Sequence, residues 1–325
     1  MPSGSVAAPA RRPDAVPANN PAAKSPFLTF FAFFSIYFIW GSTYLAIRYA
    51  VATIPPLYTA GFRHLIAGSI LLVWALAKGS RPTAKQIRAS FLIGVFFFLI
   101  GHGTLHWAET RIPSGFASLI IASEPIWVFL GASIAAKKWR INSPLLGGVV
   151  LGLAGVALLF AHDALLSAPG MFLGAVAVLA GAISWSVGII YSRRSHLSGN
   201  PLLLSALSLL SGSILLLVTG TLAGEARGFR FAQVTARSWL ALAYLILFGS
   251  VIAFTAYNWL MEHYSPTFVA THTYINPIVA VLLGWWFAAE KVTVNVAIAA
   301  ALVLLAVFLV DRGMAKLQID SSPAA

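Results

Sequence analysis

The 325-residue chain has no cysteine, which excludes disulfides, thiol catalysis and thiolate metal sites. It is also poor in charge: only 9% of its residues are Asp, Glu, Lys or Arg, where a soluble domain carries about 25%. No Gly-Lys motif that could cradle a phosphate is present, so direct drive by ATP is not expected. Nor does the sequence offer a nucleophile with an identifiable base, a metal cluster or a segment as long as a soluble domain. A membrane-embedded enzyme acting on lipid is therefore an alternative without a visible reaction centre, and no cofactor is expected.

What the chain does have is apolar surface, with 59% hydrophobic residues and a mean hydropathy of +0.86. That composition predicts an all-α integral membrane protein. A net charge of +12 would suggest nucleic acid for a soluble domain. Here the basic residues sit in short turns between apolar runs, as orientation signals do, so the expected partner is the lipid bilayer and no nucleic acid. Residues 1–25, rich in Pro, Ala, Ser and Asn, read as a disordered tail rather than a cleaved signal peptide.

A spanning helix needs about 20 apolar residues. Ten segments fit: 27–50, 57–77, 87–108, 113–136, 144–161, 170–191, 201–222, 238–260, 266–289 and 294–310. Lys and Arg concentrate in the N-terminal tail, around 78–88, at 137–140, at 193–194 and after residue 311, which by the positive-inside rule places both termini in the cytoplasm. Landmarks recur along the chain. Trp40 returns as Trp185 and Gly68 as Gly212, 145 and 144 positions on; Glu109 returns as Glu262, Pro113 as Pro266, Pro125 as Pro277 and Gly131 as Gly284, 152 or 153 positions on. The jump in offset reflects a longer loop around 223–237. Five spans per half is odd, so the second half, 170–311, enters the membrane inverted relative to the first, 27–161, and 312–325 is a cytoplasmic tail. Many secondary transporters follow this plan, with a midplane site between the halves.

The most informative pair of segments is Ile112–Gly131, IPSGFASLIIASEPIWVFLG, and Ser265–Gly284, SPTFVATHTYINPIVAVLLG. Each sets a polar residue before a proline near mid-membrane, Glu124-Pro125 and Asn276-Pro277. Glu124 falls about 16 Å into its helix, close to the centre of a hydrocarbon core about 30 Å thick. Pro125 and Pro277 are candidate kinks or hinges that free the carbonyls of Ile121 and Thr273. Glu124 reads as a cavity carboxylate for a substrate amine or a coupling proton, the alternative being a carboxyl bonded to a neighbouring carbonyl to fix packing. Arg63 could meet a substrate carboxylate, pair with Glu124, or snorkel to the outer surface. His102, His106 and Glu109 share a helix face and suggest a polar cavity wall near the outer mouth, with His272 and Thr271 in a similar part; the spacing lacks the inner Glu of a zinc-protease helix, so no metal is expected. His64 is given no role. Trp40, Tyr44, Trp107, Trp185, Tyr257, Asn258 and Tyr274 are the set expected along a cavity for organic molecules, Trp107 also fitting an interfacial anchor. Gly148–Gly152 and Gly170–Gly174 read as close packing within the chain, which suits a monomer or weak homodimer.

The segments IWGSTYLAIRYA from Ile39, AGFRHLIAGSILL from Ala60, AETRIPSGFASLIIASEPIWVFLG from Ala108, ISWSVGIIYSRR from Ile183, LFGSVIAFTAYNWLM from Leu247 and the one from Ser265 together resemble the EamA-type branch of the drug/metabolite transporter superfamily. The resemblance implies ten helices in two inverted five-helix repeats and an inner-membrane carrier, often an exporter of amino acids or other metabolites. A sugar-phosphate or nucleotide-sugar exchanger of the same superfamily is the alternative. It further implies that helices one to four and six to nine surround the cavity, with five and ten peripheral. Such chains often carry an acidic residue after the Leu-Gly stretch of each half; here the second half has Glu290 and the first has Lys137.

Overall fold

Backbone polar groups find no water inside a bilayer, so apolar runs of this length cross it as helices. The computed structural model describes residues 25–137, 139, 141–160, 169–195, 199–264 and 266–319. All but the last residue of the expected N-terminal tail, and 320–325 of the C-terminal one, lie outside the described residues. No strand occurs among the described residues. Among the described residues nine spans are long and apolar enough to cross: α1 Pro26–Ala50, α2 Pro56–Ala77, α3 Ala84–Ala108, α4 Ser114–Ala135, α5 Ser143–Phe160, α6 Gly170–Arg194, α7 Pro201–Leu222, α8 Ala236–His263, and α10, which runs Val294–Ile319. The tenth, α9, is divided into Pro266–Val269 and His272–Ala288.

Helix starts follow local chemistry. Proline opens α1, α2 and α7, where its missing N–H has no intrahelical role. Thr83 and Gln86 form a capping box at α3. The carboxylate of Glu225 accepts from the backbone N–H groups of Leu57 at 3.1 Å and Tyr58 at 3.0 Å, closing the start of α2 from the other half of the chain.

The internal repeat is visible in the backbone. α3 is π-helical over Gly94–His102 and α8 over Leu245–Ile252. Lys137 and Ala289, 152 positions apart, are the described non-glycine residues with positive φ, at 52° and 53°. The breaks are not equivalent. α4 breaks between Ile121 and Glu124, immediately before Glu124-Pro125. α9 breaks after Val269, well before Pro277, which stays inside a helix. Thr271 marks that second break, its hydroxyl donating to the Phe268 carbonyl at 2.6 Å and sharing a 2.6 Å hydrogen bond with the Tyr37 hydroxyl of α1. The expectation of two matching proline kinks is thus corrected: one break directly precedes its proline, and the other lies well before its proline, at Thr271.

Two helix pairs carry much of the packing, α5 with α10 and α2 with α7. A Cβ on Gly148 would stand 2.8 Å from the backbone of Ala306 and Val310, so this glycine lets α5 lie against α10. Gly148→Leu is expected to push the two helices apart and to cost about 1–3 kcal/mol, read as a lower melting temperature in detergent. Gly68 and Gly212, paired across the repeat, meet the α7 and α3 side chains Leu209 and Phe98.

Candidate functional site

The seam between the two halves encloses a cavity of about 430 Å³. Its lining runs from Tyr44, Arg63 and Leu105 at one end to Arg193, Met261 and Met314 at the other. Arg193 and Met261 are exposed, so the cavity opens at the C-terminal ends of α6, α8 and α10. α10 supplies Asp311 and Met314, while α5 and α7 supply nothing. The implied arrangement is corrected here: α10 is not peripheral and α7 does not reach the cavity, because α7 spends its face on α2.

Glu124 lies in the wall beside Pro125, at the break in α4. Its carboxylate has no hydrogen-bond or ion-pair partner among the described residues, nor do the hydroxyls of Tyr44 and Tyr257 or the guanidinium of Arg193. The bond from this carboxyl to a neighbouring carbonyl that the packing alternative requires does not occur among the described residues. Asn276 and Pro277 line the same cavity. The Asn276 amide is nonetheless engaged: its nitrogen, which faces acceptors only, donates to the carbonyls of Ile36 and Tyr37 at 2.9 Å and of His272 at 3.2 Å. Ile36 and Tyr37 belong to a π-helical stretch of α1, Ser35–Ile39, whose displaced carbonyls the amide satisfies.

Arg63, 3% exposed, takes neither of the two protein-side parts expected of it. It does not pair with Glu124 and does not reach the surface. Its Nε donates to the Ser250 hydroxyl at 2.9 Å and its Nη2 reaches the Gly249 carbonyl at 3.5 Å, both in the π-helical part of α8. Arg63 also lines the cavity. The Gly249 carbonyl also accepts from Trp40 Nε1 at 3.1 Å, tying α1, α2 and α8 together at one point. Trp185, the counterpart of Trp40, stacks on Phe97 with ring centres 4.2 Å apart and on His102 at 5.2 Å. Both tryptophans line the cavity.

Other expectations change. Of the His102, His106 and Glu109 face, only His102 touches the cavity; His106 and Glu109, 0% and 2% exposed, are buried behind it. His64 has a definite partner, its Nε2 lying 2.8 Å from His102 Nδ1. Tyr274 turns away from the cavity, its hydroxyl donating to the Asp311 carboxylate. Asn258 is not among the lining residues, and its Nδ2 is buried without a partner. Of the Thr271 and His272 pair, His272 lines the cavity. Trp107 lies outside it, with the Arg111 guanidinium 3.6 Å over its ring. Asp311 and Arg193 are site residues that pattern reading missed. Both sit at span ends, where a charge usually marks the water interface.

The opposite end of the cavity is shut. Glu290 Oε1 accepts from the Ser114 N–H and hydroxyl, each at 2.8 Å, and Oε2 from the Gly115 N–H at 3.0 Å. Arg48 Nε stands 3.4 Å from the same carboxylate and Arg48 Nη1 donates to the Ile112 carbonyl at 3.1 Å. A residue of the second half thereby caps the α4 helix of the first. Lys137, at the matching position of the first half, makes no such closure, which leaves the two ends of the molecule unlike.

A largely apolar cavity with charges of both signs in its wall, at the seam of two inverted bundles, closed at one end and open at the other, defines a multi-pass membrane transporter. The chain belongs to the EamA-like transporter family, whose sequence profile matches residues 27–161 and 172–311. The inner membrane transporter YedA of Escherichia coli K12 is similar to it, 35% identical over 286 residues that cover 87% of this chain and 90% of YedA. The transporter YoaV of Bacillus subtilis 168 is 24% identical over 85% of this chain and 94% of its own length. A solved crystal structure shares the fold, with a TM-score of 0.60 over 87% of this chain and 97% of that one, at 21% identity.

Proposed function

We propose that the chain is a secondary transporter of the inner membrane that exports small amphipathic metabolites, amino acids among them, by alternating access around the central cavity. The observation that carries this reading is the unengaged carboxylate of Glu124, facing the cavity beside the free hydroxyls of Tyr44 and Tyr257. An ammonium group would complete that set. Arg63 and Arg193 supply a complementary charge for a carboxylate on the same solute, and the aromatic rings of Trp40 and Trp185 suit its apolar part. In this reading both termini are cytoplasmic, the open mouth faces the cytoplasm, and a single chain, alone or as a weak homodimer, holds a complete pathway. Glu124 is also the candidate for a coupling proton, and the break before Pro125 is the candidate hinge.

Two guanidinium groups in one cavity favour a second reading, exchange of sugar phosphates or nucleotide sugars. Glu124 and Asp311 in the same wall would repel a doubly anionic solute, so the amphipathic reading stands ahead of it. Counterflow in proteoliposomes separates them. Vesicles preloaded with unlabelled amino acids are expected to accumulate labelled, chemically unaltered amino acid from outside, and empty liposomes are not. Counterflow of a sugar phosphate alone would replace the first reading by the second, and recovery of a modified lipid would point to an enzyme.

A further inference from the structure

Behind the cavity floor lies a column of buried polar atoms with no partner. Both carboxylate oxygens of Glu109, Nε2 of His106 and Nδ1 of His64 are buried without a hydrogen bond among the described residues. Buried polar atoms in native proteins are ordinarily paired, so a group of orphans on neighbouring residues calls for a small ligand. His106 and Glu109 are three residues apart on consecutive turns at the end of α3. His106 Nδ1 donates to the His102 carbonyl at 2.7 Å, which leaves Nε2 of the neutral ring a bare acceptor. His64 lies against His102, with ring centres 4.8 Å apart, and 6.5 Å from His106. His102 alone reaches the cavity. Among the described residues no group of these side chains has the arrangement of a metal site. The charged groups that face the column are Arg63 of α2, Arg48 of α1 and Glu290 after α9, with Tyr44 of α1 as a further titratable neighbour.

We propose that Glu109 is a second, buried proton-binding site, distinct from Glu124, with His102, His64 and His106 as its access route from the cavity. A proton is the one ligand small enough for orphaned atoms that no cavity exposes, and its bound form is the neutral carboxyl, which burial tolerates far better than a carboxylate. Burial first, and then the neighbouring Glu290 carboxylate, hold the Glu109 carboxyl well above the usual range, against the opposing pull of Arg48, whose charge and backbone N–H both lie near it without a hydrogen bond of good geometry, and of Arg63. The location adds a consequence. Arg48 pairs with Glu290 at the closed end, and its charge acts on Glu109 as well. Loss of the proton from Glu109 creates a second carboxylate competing for Arg48, loosening the closed end. The site therefore links protonation to the gate, whereas Glu124 would link it to the solute. This inference rests on the transport reading only for its purpose, since the proton site itself can be observed without transport.

Infrared spectra of the full-length protein in lipid vesicles test it. At neutral pH a carbonyl band of a protonated buried carboxyl is expected in the wild type and in Glu124→Gln, and its loss in Glu109→Gln. Transfer to D2O is expected to shift that band, with the shift slowed at least tenfold in His106→Leu. If Glu109→Gln does not fold, Glu109→Asp serves, moving the band rather than removing it. A band unchanged by both Glu109 substitutions, or exchange at wild-type speed in His106→Leu, would overturn the proposal. Melting gives a companion readout. A carboxyl whose folded pKa is raised keeps its proton where the unfolded chain has lost it, so stability falls as pH rises from the usual carboxyl range towards the folded value. That slope is expected to flatten in Glu109→Gln, and an identical slope would count against the site.

Discussion

Glu290→Ala is expected to be among the most damaging single substitutions in the chain, lowering the melting temperature and opening the closed end of the cavity. The carboxylate accepts three hydrogen bonds from Ser114 and Gly115 and faces Arg48 at 3.4 Å, all while 8% exposed. Removing one partner of a buried, hydrogen-bonded ion pair costs about 3–5 kcal/mol. Arg48, about a third exposed, can recover part of that loss by turning to water, so about 3 kcal/mol is expected. That is on the order of a hundredfold in an equilibrium constant. Ser114→Ala removes only the hydroxyl contact and is expected to cost about 1 kcal/mol. Equal effects of the two substitutions would mean that the carboxylate is not the clamp. The direction matters as much as the size: the loss should favour conformations open at the Glu290 end, because the bonds it removes join the two halves there.

Glu124→Gln should behave in the opposite manner, sparing the fold and removing the activity. Its carboxylate has no hydrogen-bond or ion-pair partner among the described residues, so stability is expected to change by no more than about 0.5 kcal/mol. A charge-assisted hydrogen bond to a bound ammonium is worth about 1.5–3 kcal/mol, so half-saturation for an amine-bearing solute should rise roughly ten- to a hundredfold. Counterflow titrations in proteoliposomes measure this. A large loss of stability with transport intact would assign Glu124 to packing. If the same residue carries a coupling proton, the variant should also lose its dependence on a pH gradient, and transport that kept the wild-type dependence would remove Glu124 from that role.

The ten spans were legible because membrane helices must be apolar over a fixed length, and the repeat because prolines and glycines mark backbone geometry that both halves need. Glu124 stood out for the same reason: a lone carboxylate in an apolar run is costly and therefore conspicuous. Residues whose meaning depends on helix rotation were not legible. Arg193 and Asp311 sit where flanking charges are common, and only the packing of α6 and α10 turns them into the cavity. His64 adjoins Arg63 in sequence, yet its partner is on another helix. The break in α9 has no proline to announce it; its marker is Thr271, an ordinary residue until Tyr37 of α1 is brought beside it. The role of Glu290 was likewise hidden, since a cap supplied from 175 or 176 positions away leaves no local signature.

The absence of cysteine gives a direct test of alternating access, because a single introduced thiol labels without background. Val128 lines the cavity next to Glu124 and Pro125 on α4. Val128→Cys should react with a membrane-impermeant maleimide added from the cytoplasmic side, where the proposed orientation puts the open mouth. From the opposite side it should react more slowly in otherwise wild-type protein, and faster once Glu290→Ala is added. Reaction from both sides, with the balance moved by Glu290, is the result this account predicts. Labelling from one side only, unchanged by Glu290→Ala, would contradict it.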